Sequence, residues 1–263
     1  MSSVGIVGCG VVGNACAFGF QKLGHEVLKH DIKWEDSRIE RVLKTDIVFV
    51  CVPTPSKTDG SCDISIVEDV VEQLHLLNYA GIIAIKSTVE PGTTSRLISE
   101  YSDSICFVPE FLRERCAISD FVENHDLLAV GTYDRTVYEH VVNNHGNYPR
   151  KTIMIQPTEA ELLKYFSNSF NALKITFANQ FFDVCESLKA DYKQVKDAYI
   201  MRGFEPDMYL DVNDSFRGYG GMCLPKDVKA LAHIMRDSKD NVFNHIDKLN
   251  STYKTTVPGG MRL

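Results

Sequence analysis

A ten-residue stretch in the second half of the chain collects the residues best suited to covalent chemistry. Gly218–Asp227 contains Cys223 beside a lysine and an aspartate, with glycines before the cysteine and Pro225 after it. Glycine lets the backbone approach a ligand closely, and proline stiffens the chain. A cysteine attacks as its thiolate, which a nearby cation favours. The stretch alone fits a reactive thiol and a glycine-rich turn around a structural cysteine equally well.

A second group of residues, near the N-terminus, has the spacing of a dinucleotide-binding turn. Gly8, Gly10 and Gly13 form a G-x-G-x-x-G pattern between a predicted strand and a predicted helix, and Asp31 ends the next predicted strand. The glycines permit a tight turn and let a pyrophosphate reach the helix N-terminus. An aspartate at this spacing bonds the adenosine ribose and repels a 2′-phosphate, so we expect NAD rather than NADP.

Alternating strand and helix patterns continue through the first 156 residues. They predict an α/β fold, a Rossmann-type doubly wound parallel sheet with helices on both faces. The predicted strands cover residues 4–7, 26–30, 46–52, 81–85, 104–108, 127–131 and 152–155.

Polar residues follow the predicted strands at the points where they end. Pro53-Thr54, Ser87-Thr88 and the segment 110–114 all occupy such positions, as do the glycine turn and Asp31. The carboxyl ends of the strands in an open parallel sheet form the edge where ligands bind. Each of these residues could singly be an ordinary turn residue or a solvated charge, but together they predict one binding edge.

One long helix is predicted over residues 157–188, begun by a capping box of Thr158 and Glu161. Apolar residues at steps of three and four form one stripe, for which core packing is our preferred interpretation, with part of it free to form a homodimer interface. The stripe comprises Phe166, Phe170, Leu173, Phe177, Phe181, Val184 and Leu188. Nearly opposite lie Glu161, Lys164, Asn168 and Asn171, either as a solvated face or as partners of the cysteine.

The remaining chain predicts a small helical domain and a tail. A second helix is expected over 191–201, an irregular segment over 202–216 and a short amphipathic helix over 228–237. The predicted organisation is a nucleotide-binding domain over 1–156, a mainly helical domain over 157–240 that carries the cysteine, and a C-terminal tail over 241–263.

Composition narrows the possible partners and the compartment. The net charge of −7 argues against a general nucleic-acid or anionic-membrane surface, and no apolar run reaches the length of a membrane span. The N-terminus leads directly into a strand pattern, which predicts no signal peptide. Eight cysteines without C-x-x-C pairs or zinc-ligand spacing predict reduced, mostly structural thiols, no metal and a cytoplasmic protein.

With these motifs in place, the sequence resembles the UDP-glucose/GDP-mannose 6-dehydrogenase family. The matching motifs occur in family order and span residues 4 to about 237. They are Gly8–Gly13, Val52-Pro53-Thr54-Pro55, Lys86-Ser87-Thr88-Val89, Pro109-Glu110-Phe111-Leu112-Arg113-Glu114, Glu161-Leu162-Leu163-Lys164 with Asn168, and Gly220–Asp227. The resemblance implies an NAD-dependent, four-electron oxidation of a sugar C6 alcohol to a carboxylate, with UDP-glucose as the expected substrate.

The resemblance also implies roles for particular residues. Cys223 would trap the aldehyde as a thiohemiacetal that a second hydride transfer converts to a thioester. Lys164, Asn168 and Asp227 would stabilise the oxyanion and hold water, Glu114 would act as the general base of hydrolysis, and Thr88 would lie near the nicotinamide. The cofactor would be bound by Gly8, Gly10, Val11, Val12, Gly13, Asp31, Val52, Pro53, Thr54, Ser87, Thr88 and Glu114. The substrate would be bound by Glu110, Phe111, Leu112, Lys164, Asn168, Gly220 and Lys226.

Some features of the family pattern are not matched in this sequence. The family's third, C-terminal domain is not matched, the segment between Asp31 and Asp46 is shorter than usual, and Met222 replaces a more frequent serine. Glu205-Pro206-Asp207 stands where an Arg-Ile-Gly motif is usual, with Arg217 as a candidate substitute. Two alternatives therefore remain. One is a shortened relative that binds NAD without catalysis, and the other is a two-electron β-hydroxyacid dehydrogenase that needs no cysteine.

Overall fold

A computed structural model describes residues 2–203, 208–214, 216–238 and 241–253 of the chain. The Glu205-Pro206-Asp207 segment lies outside these residues. The chain divides into two compact units. The first comprises Met1–Pro55 and Cys62–Lys164, and the second comprises Ser56–Ser61 and the chain from Tyr165 onward.

A seven-stranded sheet forms the centre of the first unit. In chain order its strands are β1 (Ser3–Val7), β2 (Glu26–His30), β3 (Ile47–Val50), β4 (Ile82–Ile85), β5 (Ile105–Phe107), β6 (Leu127–Gly131) and β7 (Lys151–Ile155), and in space they follow the order β2-β1-β3-β4-β5-β6-β7. The predicted Rossmann-type sheet is confirmed. Its strand order reverses beside β1, where the glycine turn begins, and such a switch point is where open α/β sheets bind ligands.

The sheet departs from the prediction at β6. Neighbouring strands are parallel except β5 and β6, which pair antiparallel through Phe107 and Gly131. The intervening chain includes a short helix, Ala117–Val122, that the sequence pattern did not predict. Six residues are too few to show a helical period, so only packing reveals this helix. Its Phe121 is buried against Gly19, where a Cβ atom would lie 2.3 Å from the ring.

Helices cover both faces of the sheet, as expected. They are α1 (Val11–Lys22), α2 (Ser65–Leu76), α3 (Thr93–Glu100), α4 (Ala117–Val122) and α5 (Arg135–His145). Residues of α1, α4 and α5 share a buried cluster with Phe49 of β3, whereas residues of α2 and α3 share another with Val48. Because side chains alternate along a strand, neighbouring residues of β3 fill opposite cores.

The predicted long helix is confirmed as α6 (Pro157–Ser187, 31 residues), but the expectation that its apolar stripe packs in the core is wrong. The seven stripe residues are 39–73% exposed within the described part of the chain. The opposite face is the buried one, with Glu161, Lys164, Asn168 and Asn179 buried beside apolar residues such as Ile175, whereas the predicted Asn171 is half-buried. Periodicity shows which residues share a face, but it does not show which face meets the core when the buried face carries paired polar groups.

The predicted capping box of α6 is also wrong. The carboxylate of Glu161 accepts hydrogen bonds from the backbone N–H groups of Gly92 (2.6 Å) and Thr94 (2.7 Å). It therefore caps the N-terminus of α3 rather than that of its own helix. Burial raises the pKa of Glu161, and the hydrogen bonds from Thr94 and Gly92 only partly oppose that effect.

The second unit contains three more helices within the described residues. The expected second helix is α7 (Tyr192–Ile200), with Asp191 as its N-cap, and α8 (Leu224–Ile234) begins directly after Cys223 rather than at residue 228. The helix α9 (Val242–Asn250) lies in the segment that we expected to be a polar tail. Its Ile246 is buried in one cluster with Val228 of α8, so α9 is packed. No helix in the described ranges is long and apolar enough to cross a membrane.

Candidate active site

The glycine turn after β1 has the geometry that a dinucleotide requires. Gly8 has a φ of +89°, and a Cβ atom there would lie 2.6 Å from the carbonyl oxygen of Cys51. A Cβ atom on Gly13 would lie 1.9 Å from the carbonyl oxygen of Gly8, so only glycine lets α1 approach the turn this closely. A Cβ atom on Gly10 would meet nothing within 4 Å, which leaves the open space that a pyrophosphate needs.

Asp31 is held beside this turn in its ionised form. Its carboxylate accepts hydrogen bonds from the backbone N–H groups of Cys9 (2.7 Å) and Lys33 (2.9 Å). Burial opposes ionisation, but these N–H groups outweigh it and lower the pKa of Asp31. Gly10 caps α1 without a side-chain hydrogen bond, and Val11 and Val12 follow it in the first turn. The turn thus combines uncapped helix N–H groups with an acceptor for a ribose hydroxyl, and these residues fit the adenosine half of NAD.

The loops after β3 and β4 lie together at the same edge of the sheet. The Ser87 hydroxyl donates to the carbonyl oxygen of Val52 (2.8 Å), in the loop that contains Pro53. The Cys62 thiol donates to the carbonyl oxygens of Thr88 (3.5 Å) and Thr54 (3.8 Å). The sequence-predicted loop residues are therefore brought together. The bridging role of Cys62 was not predicted, because a buried cysteine carries no signal beyond its apolar character.

A buried ion pair joins the loop after β5 to α6 in the first unit. The Lys164 ammonium donates to the Glu110 carboxylate (2.9 Å) and to the carbonyl oxygen of the same residue (2.6 Å). The N–H group of Leu112 donates to the other carboxylate oxygen (2.7 Å). Both charged side chains are less than 10% exposed. Burial opposes the charge on Glu110, but Lys164 and these hydrogen bonds lower its pKa below the usual value, so the carboxylate is ionised.

This pair gives Glu110 a structural partner that the sequence did not predict. Glu110 was expected to face the substrate, yet both of its carboxylate oxygens bind groups of the first unit. Phe111 lies beside the pair, with its ring centre 5.8 Å from the Lys164 nitrogen, and Leu112 is half-buried. Glu114, the predicted general base, is exposed at the start of a short 3-10 turn. The Glu110 carboxylate is therefore buried and paired, whereas Glu114 is exposed to solvent.

The cysteine loop in the second unit brings four of the predicted site residues together. Cys223 is exposed and caps α8, in whose first turn lie Lys226 and Asp227. Asp227 is fully buried, and its carboxylate accepts hydrogen bonds from the Asn168 amide (2.5 Å) and from the Lys226 ammonium (2.6 Å). A thiol, an ammonium, an amide and a carboxylate are suited to stabilise an alkoxide and to orient a water molecule. Gly220 lies half-buried in the same loop.

Arg217, the candidate substitute for the Arg-Ile-Gly motif, binds side chains of α6. Its guanidinium donates to the Asn179 side-chain oxygen (2.7 Å) and to the Asp183 carboxylate (2.6 Å), both on α6. It also lies over the rings of Phe182 and Tyr253. These contacts fix the chain before the cysteine loop, so Arg217 has a structural role that the sequence did not predict. The described residues contain no group of three or more His, Cys, Asp or Glu side chains that could hold a metal ion.

The glycine turn, the ionised Asp31 and the mostly parallel sheet define a dinucleotide-binding α/β unit. A family model for the NAD binding domain of the UDP-glucose/GDP-mannose dehydrogenase family matches residues 33–144, and one for the central domain of that family matches residues 158–252. The chain belongs to the UDP-glucose/GDP-mannose dehydrogenase family, and its cofactor is NAD.

Individual relatives belong to the same family, and each match covers most of this chain but a smaller share of the relative. The chain is 32% identical to the UDP-glucose 6-dehydrogenase of Rickettsia bellii and 31% identical to that of Bacillus subtilis, over 83% and 85% of this chain but 50% and 51% of those proteins. A UDP-glucose dehydrogenase structure from Pyrobaculum islandicum is similar with a TM-score of 0.85 at 27% identity, covering 96% of this chain and 68% of that one. The chain thus spans about half the length of the curated relatives that it matches.

Gly10 and Gly13 of the turn allow a matched test of cofactor binding. Gly10→Ala should keep the unfolding temperature of wild type but weaken NAD binding about tenfold or more, since its methyl group enters the space left for the pyrophosphate. Gly13→Ala should lower the unfolding temperature, because its methyl group overlaps the Gly8 carbonyl. Calorimetric titration with NAD and thermal unfolding measure both. Wild-type NAD affinity in Gly10→Ala would contradict the assignment of the turn.

Proposed function

We propose that this chain oxidises the C6 alcohol of a nucleotide sugar to the carboxylate, with UDP-glucose as the substrate and NAD as the oxidant. The observation that carries this proposal is the cysteine loop, where an exposed Cys223 precedes a helical turn that holds the Asn168–Asp227–Lys226 network. A protein that only binds NAD has no chemical need for this set of groups. The choice of UDP-glucose rests on the names of the curated relatives.

The proposed reaction passes through a covalent bond to Cys223. The alcohol first loses a hydride and a proton to give an aldehyde. The Cys223 thiolate adds to the aldehyde carbon, and loss of a second hydride from this thiohemiacetal gives a thioester. Water then attacks the thioester carbon, the carbon–sulfur bond breaks and the thiolate is released. NAD supplies an acceptor for each hydride, so one alcohol and one water yield one carboxylate, two NADH and three protons.

The side chains have distinct roles in this proposal. Lys164 and Asn168 donate hydrogen bonds to the oxyanion of the covalent species, because preformed donors at developing negative charge lower the barrier, and Asp227 accepts a hydrogen bond from the water. Glu114 is the general base of hydrolysis, and its exposure leaves it able to take up a proton from water. Thr88 lies near the reacting carbon. Phe111 and Leu112 after β5, and Gly220 and Lys226 of the cysteine loop, bind the substrate in this proposal, whereas Glu110 serves as the counterion of Lys164.

The stoichiometry of NADH separates this proposal from its two alternatives. Wild-type protein should form two NADH for each UDP-glucose consumed, because both hydrides leave the same carbon. Cys223→Ser should lose turnover by about a thousandfold or more, because its hydroxyl is a far weaker nucleophile than a thiolate. Absorbance at the NADH band, with quantification of the sugar acid, measures both.

The other outcomes of this experiment identify the alternatives. One NADH for each substrate, with activity kept in Cys223→Ala, would select a two-electron dehydrogenase. NAD binding without turnover on a panel of nucleotide sugars would select a non-catalytic relative. The panel should include UDP-glucose, GDP-mannose and a UDP-N-acetylhexosamine, so that a different sugar is recognised as such.

The exposed apolar stripe of α6 supports a second part of the proposal, a homodimer. Its seven apolar residues are all exposed, and Phe170, Phe177 and Phe181 line a cavity of about 600 Å³ together with residues of α7. Soluble proteins rarely leave so large an apolar surface uncovered. A second copy that places its own α6 on this stripe would cover it symmetrically. A cytoplasmic location completes the proposal, in keeping with cysteines that form no disulfide in the described part of the chain.

A charge placed in the centre of the stripe tests the homodimer. Phe177→Glu should convert the dimer to a monomer, because the carboxylate would be desolvated at the interface. Glu186→Lys is the matched control, since it changes a charge on the opposite side of the same helix. Light scattering coupled to gel filtration measures the mass of each variant. A monomeric wild type, or a Phe177→Glu variant that stays dimeric, would refute this interface.

A further inference from the structure

The segment before Cys223 depends on side chains for its backbone hydrogen bonds. Residues 217–221 belong to no helix or strand, and Gly218 and Gly221 have φ values of 66° and 78°. Buried backbone N–H and C=O groups need partners wherever regular secondary structure does not supply them. In this segment the partners of Gly218 and Tyr219 include two asparagine side chains of the second unit, and one of them makes a two-point contact.

Asn250, the last residue of α9, makes that two-point contact. Its side-chain oxygen accepts a hydrogen bond from the N–H group of Tyr219 (2.7 Å), and its amide donates to the carbonyl oxygen of Tyr219 (2.9 Å). A single amide side chain thus satisfies both backbone groups of one residue, as a neighbouring strand would. Asn179 of α6 supports the preceding residue, since its oxygen accepts from the N–H group of Gly218 (3.1 Å).

The Tyr219 side chain gives this contact a rigid base. Its ring is 2% exposed and packs with Ile175 of α6, Val228 of α8 and Ile246 of α9. Three helices therefore meet at the residue whose backbone Asn250 holds. A backbone position fixed by both hydrogen bonds and core packing is a suitable anchor for a loop.

Cys223 lies between this anchor and a second one. Only Gly220, Gly221 and Met222 separate Tyr219 from Cys223, and Met222 is 76% exposed. On the other side α8 begins, and Asp227 is fixed by Asn168. Two consecutive glycines give the intervening chain wide conformational freedom, so the position of the thiol depends on how firmly Tyr219 is held.

We propose that Asn250 is a positioning residue that fixes the Cys223 thiol through the backbone of Tyr219. This inference rests on the proposed function for its effect on turnover, but its effect on the loop is independent of that function. It also assigns a purpose to α9, which is the helix that places Asn250 against the loop.

Asn250→Ala tests this proposal, with Asn244→Ala as the matched control on an exposed position of the same helix. Hydrogen exchange at the Tyr219 amide should accelerate roughly fivefold to tenfold in Asn250→Ala, as expected for the loss of one hydrogen bond. Turnover should fall about tenfold or more because the thiol is misplaced. The dissociation constant for NAD should be unchanged, since the glycine turn belongs to the first unit and Asn250 to the second. Asn244→Ala should match wild type in all of these.

Alkylation of Cys223 by iodoacetamide provides a readout that needs neither NAD nor a sugar. Its rate should fall in Asn250→Ala, because the thiol leaves the helix N-terminus, whose N–H groups favour the thiolate. Asn250→Asp keeps the acceptor for the Tyr219 N–H group but loses the donor, so it should show intermediate exchange and alkylation rates. It also serves as the test variant if Asn250→Ala does not fold.

The outcomes separate this proposal from the proposed function. Unchanged hydrogen exchange at Tyr219 in Asn250→Ala would show that Asn250 does not hold the Tyr219 backbone. Faster exchange with wild-type turnover and a wild-type alkylation rate would show that this contact does not position Cys223. A wild-type protein without turnover on any nucleotide sugar would refute the proposed function alone. In that case the alkylation rates decide, with a slower rate in Asn250→Ala supporting the positioning role and an equal rate refuting it.

Discussion

The polar residues on the buried face of α6 are the constraint on which the candidate site depends. A charged or amide side chain that is removed from water costs several kcal/mol unless a partner replaces the lost hydrogen bonds. Lys164 is paired with Glu110 in the first unit, and Asn168 is paired with Asp227 in the second. Each partner lies on a loop or at a helix start. The cost of burying the polar face is therefore offset only when those loops take the positions that the structure shows.

The helix α6 contributes residues to both units, and its buried polar residues bind loops in each of them. Within the first unit Glu161 caps α3, directly after the loop that contains Thr88. Within the second unit Asn179 holds Gly218 at the entry of the cysteine loop. Polar pairing thus fixes the loops that carry the predicted site residues, while the apolar stripe of the helix stays exposed in the described structure. Hydrogen bonds are thus part of how the buried face of the helix holds its neighbours.

Local patterns in the sequence predicted much of the fold, including the glycine turn after β1. Strand alternation, the glycine spacing and the position of Asp31 depend on neighbouring residues, and the structure has the predicted sheet and turn. We predicted that the apolar stripe of α6 is buried, but the opposite face is. The partners of Lys164 and Asn168 on that face are 54 and 59 residues away along the chain, so no local pattern indicated them. Asn250 was missed for the same reason, since its contact with Tyr219 spans 31 residues of chain in a segment expected to be a tail. Pairings between distant polar residues leave no periodic signal.

A double-mutant cycle on the Lys164–Glu110 pair tests this account most directly. The free energy of unfolding is measured for wild type, Lys164→Met, Glu110→Gln and the double variant. Lys164→Met alone should lose about 3–5 kcal/mol, because it leaves a buried carboxylate without its counterion. The double variant should lose less than the sum of the single losses, with a coupling energy of about 2 kcal/mol. Single losses that add to within about 0.5 kcal/mol would show that the pair is not coupled and would contradict the account.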